Sequence, residues 1–168
     1  MANTLTTLRL LLLFPFAFLM ARGDAFSAGL AGITIVAAIA TDFLDGAIAR
    51  RRGTESAAGR ASDHTTDFLF VTSGLVAGAT RGVFPWILPL VIAAAFAQYV
   101  IDSYLLHQQR ELRMSRLGRY NGIFYFVPLC GDILIRMGLE SLQPLLTPVV
   151  WILVVSTVLS IGDRLIML

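Results

Sequence analysis

Four aspartates lie in otherwise apolar sequence, and their spacing makes them the residues best suited to chemistry in this chain. Asp42 and Asp45 are three residues apart, and Asp63 and Asp67 are four residues apart. On helices, each pair would lie on one face, with its members about 4.5 and about 6 Å apart along the axis. A charged side chain at the centre of a bilayer costs roughly 2.5–3.5 kcal/mol on insertion scales, so these acids require cations nearby.

The two acidic pairs are separated by a short turn, so the helices that carry them are expected to be antiparallel and their carboxylates to converge. Mg²⁺ and Mn²⁺ take oxygen ligands, and pairs of such ions about 3.5–4 Å apart recur where a phosphate oxygen is polarised. The pattern therefore predicts a phosphoryl-transfer site with two divalent cations, Mg²⁺ or Mn²⁺. The alternative is a set of interfacial ion pairs with the neighbouring arginines Arg50, Arg51, Arg52 and Arg60.

Composition indicates an integral membrane protein. Of the 168 residues 57% are hydrophobic and 14% are charged, and the mean hydropathy is +0.76. This length has room for about six membrane-spanning helices and for no separate soluble domain, so we expect one domain over residues 1–168. The formal charge of +2 comes with thirteen arginines and no lysine. Because the arginines are gathered into loops, they favour membrane orientation and phosphate binding over nucleic acid.

Six apolar runs predict an all-α bundle of six transmembrane helices. The runs are Leu5–Ala21, Phe26–Arg50, Gly59–Ala79, Val83–His107, Leu117–Met137 and Leu145–Ile166. Arginine is concentrated in the second and fourth breaks between the runs, which places those loops, both termini and the acidic site in the cytoplasm. The alternative for the first run is a cleaved signal peptide, but its weakly charged start argues for a retained helix.

The acidic residues also belong to a familiar pattern. The sequence contains D-x2-D-G-x2-A-R-x8-G-x3-D-x3-D from Asp42 to Asp67, with every fixed position filled. This resembles the complete signature of the CDP-alcohol phosphotransferase family, and the six-helix outline extends the resemblance over essentially the whole chain. The resemblance implies a six-helix membrane bundle, commonly a homodimer, with its active site at the cytoplasmic surface.

The resemblance also assigns roles by position. Asp42, Asp45 and Asp63 would hold the metal pair, while Asp67 would help to hold it and act as base on the acceptor hydroxyl. The remaining fixed positions would form or adjoin the nucleotide pocket: Gly46, Ala49, Arg50 and Gly59. The implied partners are a CDP-linked lipid and an alcohol acceptor, and CMP would be released.

Two features bear on the acceptor. The opening Asn3-x-x-Thr6-x-x-Arg9 is similar to the N-x-x-T-x-x-R of phosphatidylglycerophosphate synthases, which makes Thr6 and Arg9 candidates for binding the acceptor. The alternative is a capped helix start with Arg9 extending to the headgroups. In addition, the residues from Arg60 to Phe68 depart from the Leu-Asp-Pro-Val-Ala-Asp-Lys usual in those synthases, so the acceptor is left open.

Other polar residues each have more than one interpretation or none. An arginine cluster before the fifth run could hold the phosphate of a phosphorylated acceptor or could only signal topology. Its members are Arg110, Arg113, Arg116 and Arg119. Asp132 and Arg136 have the spacing of a helical ion pair, and the alternative is that they reach toward the substrate. His64 has the position of a hydrogen-bonding neighbour of the metal ligands. Asp102 has no evident partner in the sequence.

The leading hypothesis is phosphatidyl transfer from CDP-diacylglycerol to an alcohol, with glycerol 3-phosphate as the first candidate acceptor. Inositol phosphate, serine and phosphatidylglycerol are alternatives within the same family. A divalent-cation transporter is the alternative from another class, since acids within a membrane also mark ion pathways. A catalytically silent partner subunit is disfavoured by the intact motif. We expect the protein in the cytoplasmic (inner) membrane of a bacterium.

Overall fold

A computed structural model describes the backbone of residues 2–52, 57–101 and 116–166, and the side chains of residues 7–44, 62–101 and 117–164. These segments contain helices and turns and no strand, which confirms the all-α prediction for the described part of the chain. The α-helices are α1 (Ala2–Ala21), α2 (Ala25–Arg52), α3 (Ala57–Thr80), α4 (Ile87–Ile101), α5 (Arg116–Phe124), α6 (Phe126–Arg136) and α7 (Gln143–Ile166). A short 3₁₀ helix, Glu140–Leu142, precedes α7.

The fifth apolar run forms two helices rather than the predicted single one. α5 and α6 are separated at Tyr125, and Pro128 follows within the first turn of α6. Proline has no N–H, so the carbonyl of Phe124 receives no helical hydrogen bond from position 128, and the helix is weakened at this point. Each of the other five runs carries one helix, so six helical segments correspond to the six runs.

The surface of the bundle is strongly apolar. Large side chains on α1 and α2 point outward, among them Phe14 at 73% and Phe26 at 78% exposure. By length and composition, Ala25–Leu44 and Glu140–Arg164 could each cross a membrane, and Thr7–Ala21 and Ile87–Ile101 are shorter apolar helices. Contiguous exposed apolar surface on this scale indicates membrane association. That all six segments cross the bilayer stays a prediction.

The packing order brings the six segments around a shared interior. α1 packs against α2 and α3, α4 packs against α3 and α7, and α6 packs against α2, α3 and α7. The rings of Phe16 and Phe70 stack in the core with their centroids 4.3 Å apart. Gly74 allows this stack, because a Cβ at that position would lie 2.6 Å from Cε1 of Phe16.

Three turns at one end of the bundle have explicit capping groups, and we call this end the cap end. Asp24 precedes α2, where its carboxylate accepts hydrogen bonds of 2.8 Å from both the backbone N–H and the hydroxyl of Ser27. These hydrogen bonds lower the pKa of Asp24 from its ordinary 3.8. α3 and α6 end in Schellman motifs, in which Gly82 (φ +75°) and Gly138 (φ +109°) adopt the left-handed conformation that glycine tolerates best.

Candidate active site

The helices enclose a cavity of about 530 Å³ at the opposite end, which we call the site end. Each of the six helical segments contributes to its lining. Most of the wall is apolar, and part of it is made by Phe68 and Phe96, whose rings stack with centroids 4.0 Å apart. The charged residues that line it include Arg9, Asp42 and Asp67. An apolar cavity with a few convergent charged groups is the usual form of a ligand site.

Arg9 joins the two acidic helices. Its side chain is 1% exposed, and its Nη1 donates a 3.0 Å hydrogen bond to Oδ1 of Asp67. Its Nη2 lies 3.0 Å from Oδ1 of Asp42. The predicted convergence of α2 and α3 carboxylates is therefore observed for one member of each pair. Arg9 points into the bundle, so the alternative in which it extends to the headgroups is wrong.

The arrangement follows from the topology. α1 lies against both α2 and α3, so a long cationic side chain from the first half of α1 can reach the last half of α2 and the first half of α3. Asp63 lies one turn before Asp67 on α3, and its side chain is partly buried. Among the described side chains, no three His, Cys, Asp or Glu residues are grouped closely enough to hold a metal. The side chain of Asp45 lies outside the described residues.

Two further arginines line the cavity, on the elements that face the acids. Arg119, the member of the predicted basic cluster whose side chain is described, comes from α5, and Arg164 comes from α7. The guanidinium carbon of Arg164 lies 4.9 Å from the centroid of the Tyr99 ring. Sequence reasoning missed Arg164. It could have been found from the sequence, because it is a lone basic residue in the last apolar run and lies at the end where the acids of α2 and α3 also lie. His64, three residues before Asp67 on α3, also lines the cavity.

Polar contacts fix the far wall of the cavity to α7. The hydroxyls of Tyr125 and Thr157 are hydrogen-bonded at 2.7 Å, so the joint between α5 and α6 is anchored to α7. Ser156 donates a 2.7 Å hydrogen bond to Oδ1 of Asn121. Gln98 on α4 donates a 3.1 Å hydrogen bond to the carbonyl of Ile161. Hydrogen bonds of this kind hold membrane helices together where apolar contact alone gives little specificity.

Several predicted site residues lie outside the described side chains or outside the described backbone. For positions on described helices, only the backbone placement is known: Thr6, Asp45, Gly46, Ala49, Arg50, Gly59 and Arg116. Asp102, Arg110 and Arg113 lie outside the described backbone. The roles of these residues stay predictions.

A second charged cluster lies at the cap end. The predicted pair of Asp132 and Arg136 is confirmed, with Oδ2 and Nη2 3.2 Å apart. Sequence reasoning missed Arg81, whose Nη2 donates 2.6 Å hydrogen bonds to both carboxylate oxygens of Asp132. Arg81 and Arg136 also each donate to the carbonyl of Arg22. The cluster ties the end of α1 to the α3–α4 turn and to α6.

Fold and site together define an all-helical, membrane-associated protein with a charged internal cavity at one end. Compared with models of known protein families, the chain matches that of CDP-alcohol phosphatidyltransferase over residues 1–161. The chain belongs to this family, whose members transfer a phosphatidyl group from a CDP-alcohol to an alcohol. No curated protein sequence matches the chain closely enough to add a relative to this comparison.

Proposed function

We propose that this chain transfers the phosphatidyl group of CDP-diacylglycerol to the hydroxyl of an alcohol acceptor and releases CMP. The observation that carries the proposal is that Asp42 and Asp67, two fixed positions of the signature, meet at one buried guanidinium in the wall of a cavity. The family match favours group transfer over the cation-transporter alternative.

The carboxylates at the site end have the ligand chemistry that hard divalent cations prefer. Carboxylate oxygens from α2 and α3 are close enough to share one cationic group, and the side chains of Asp42 and Asp67 remain 48% and 37% exposed. We assign Asp42, Asp45, Asp63 and Asp67 as the residues that would hold two Mg²⁺ or Mn²⁺ ions, since such ions prefer oxygen ligands. When bound there, the two ions would neutralise the negative charge of the diphosphate.

The protein residues position the reactants and accept the proton. Asp67 faces the cavity, and its orientation is fixed by the hydrogen bond from Arg9. We assign it as the base: the acceptor hydroxyl proton passes to its carboxylate while the hydroxyl oxygen bonds to the phosphorus nearer the lipid. The bond from that phosphorus to the bridging oxygen of the diphosphate breaks, and CMP leaves. Positioning and charge stabilisation supply most of the rate in such transfers.

The small residues of the signature and its arginine are assigned to the nucleotide. They are Gly46, Ala49, Gly59 and Arg50. For the acceptor we favour a phosphorylated alcohol, with glycerol 3-phosphate first, because Arg119 and Arg164 both line the cavity and arginine binds phosphate through paired N–H donors. Thr6 and the loop arginines Arg110, Arg113 and Arg116 would extend this basic region. Inositol phosphate, serine and phosphatidylglycerol are the other acceptors to compare.

The setting is also part of the proposal. We infer that all six helical segments cross the bilayer, that the site end and both termini face the cytoplasm, and that the protein functions as a homodimer in a bacterial inner membrane. The apolar exterior supports the first inference, and the arginine-rich loops support the second.

The test is CMP release from CDP-diacylglycerol by purified protein in detergent, with Mg²⁺ or Mn²⁺ and each of the four acceptors named above in turn. Asp67→Asn should lower turnover by roughly 100-fold or more, since a positioned base contributes on that scale. Asp163→Asn is the matched control: this acid is exposed on α7 and does not line the cavity. Undiminished turnover in Asp67→Asn would remove that residue from the base role, and no CMP release with any acceptor would refute the proposed reaction.

A further inference from the structure

Arg9 is almost wholly buried and yet incompletely satisfied. A guanidinium has five N–H donors, whereas among the described residues Arg9 makes one side-chain hydrogen bond, to Asp67. Its 3.0 Å contact with Asp42 is an ion pair without hydrogen-bond geometry, and its Nε is buried without a hydrogen-bond partner in the described part of the chain. Burying a charge with few hydrogen bonds is costly. The burial of the Arg9 guanidinium must therefore be offset by nearby negative charge.

Asp42 and Asp67 supply that negative charge. One guanidinium carries a single positive charge and faces two carboxylates, so this group of three retains a net negative charge. Arg9 reduces the repulsion between Asp42 and Asp67 but does not cancel it. The oxygens that contact Arg9 are the Oδ1 atoms of the two acids, and these belong to the residues assigned above as cation ligands.

We propose that Arg9 is an exchangeable counter-ion, which holds Asp42 and Asp67 together until a divalent cation displaces it from at least one of them. This inference rests on the proposed function, because it takes the two aspartates to be cation ligands. Arg9 is then a positioning residue: it keeps α1, α2 and α3 in register and sets how readily the cation binds.

The proposal has a thermodynamic consequence. A ligand that binds only when a competing group has moved away has an apparent affinity reduced by the fraction of molecules in the competent state. Removing the positive charge of Arg9 should therefore tighten cation binding, while leaving the two acids uncompensated when no cation is present. A purely structural arginine would show the second effect without the first.

The experiment is a Mn²⁺ titration of the purified full-length protein in detergent, with free Mn²⁺ measured by electron paramagnetic resonance and thermal stability measured in parallel. Arg9→Gln should lower the Kd for Mn²⁺ by roughly tenfold, and Mn²⁺ should raise its melting temperature more than that of the wild type. Arg9→Lys keeps the positive charge and should stay close to the wild-type Kd.

A second measurement is made on the folded wild type, and a variant is needed only to assign the signal. With ¹³Cζ-labelled arginine, the NMR signal of Arg9, assigned by its loss in Arg9→Lys, should shift on addition of diamagnetic Mg²⁺. An unchanged signal at saturating Mg²⁺, or an unchanged or weaker Mn²⁺ affinity in Arg9→Gln, would overturn the exchange while leaving the metal site in place. Absence of Mn²⁺ binding to the wild type would overturn the metal site itself, and the exchange with it.

Discussion

Single side chains set the charge balance at the two ends of the bundle. The central residue is a cation at one end and an acid at the other. At the site end Arg9 faces two acids, whereas at the cap end Asp132 is the acid between Arg81 and Arg136. The cap-end arginines also bond to backbone carbonyls near the end of α1, where the helix dipole favours positive charge. The cap-end cluster is therefore suited to holding helices in place, while the site-end group is left with acidic oxygens exposed to a cavity.

Replacing Asp132 by Asn should destabilise the protein by roughly 3 kcal/mol, because removing one partner leaves buried charges uncompensated. Both arginines are largely buried, with side-chain exposures of 12% for Arg81 and 7% for Arg136. Thermal denaturation in detergent, followed by circular dichroism, gives the comparison with wild type. Glu140→Gln removes the same charge from an exposed position near this end and should have little effect. Equal melting temperatures for the two variants would show that the cap-end cluster contributes little to stability.

At the scale of helices, the sequence predicted helix ends well, because these depend on the residues nearby in the chain. At the ends that the structure describes, the helices begin and end within a few residues of the apolar runs, because glycine, proline and charged residues interrupt those runs where turns occur. The break at Tyr125 was not predicted, since a single proline such as Pro128 inside an apolar run is compatible with a bent continuous helix. The tertiary hydrogen bond between the hydroxyls of Tyr125 and Thr157 lies at this point, and no local pattern reveals it.

The packing of α1 on α3 depends on the absence of a side chain at Gly74. An added Cβ would lie 2.6 Å from Cε1 of Phe16, and that ring is held by its stack on Phe70. Gly74→Ala should therefore cost about 1–3 kcal/mol, the usual range for overpacking in a core. Gly29→Ala on α2 is the control, because nothing lies within 4 Å of the Cβ position there. It should be neutral or stabilising by up to about 1 kcal/mol through helix propensity. The measurement is thermal denaturation of both variants. A higher melting temperature for Gly74→Ala than for Gly29→Ala would contradict the packing argument.

The start of α2 should respond to acid. The folded-state pKa of Asp24 lies below its ordinary 3.8 because Ser27 donates two hydrogen bonds to the carboxylate. A lowered folded pKa means that the stabilisation is fully present above the unfolded-state pKa and is lost as the pH falls through the folded value. The melting temperature of wild type should thus decline relative to Asp24→Asn as the pH falls below about 3.8. Asparagine is the suitable comparison because it also caps helices and does not titrate. A difference in melting temperature between wild type and Asp24→Asn that stays constant from pH 6 to pH 3 would contradict this role.

At the scale of the whole molecule, the candidate site is a product of long-range assembly. The signature located the acids, because a fixed spacing on two antiparallel helices brings their side chains to one side. The partners of those acids could not be located in the same way: Arg9 lies 58 positions from Asp67 in the chain, and Arg164 belongs to the last helix. Which of many arginines faces the acids is decided by how α1 and α7 pack, and that information is not local.

The same assembly predicts which residues lie on each side of the membrane. Ser141 lies at the cap end beside Glu140, and Asp163 lies near the end of α7 beside Arg164 of the cavity. They are 22 residues apart, which in a largely helical segment corresponds to roughly 33 Å and is enough to cross a bilayer core. In a Cys130→Ser background, Ser141→Cys should react with a membrane-impermeant maleimide added to intact spheroplasts. Asp163→Cys should react only after the membrane is opened, because the site end is proposed to face the cytoplasm. The reverse pattern would invert the proposed orientation, and labelling of both positions in intact cells would show that α7 does not cross.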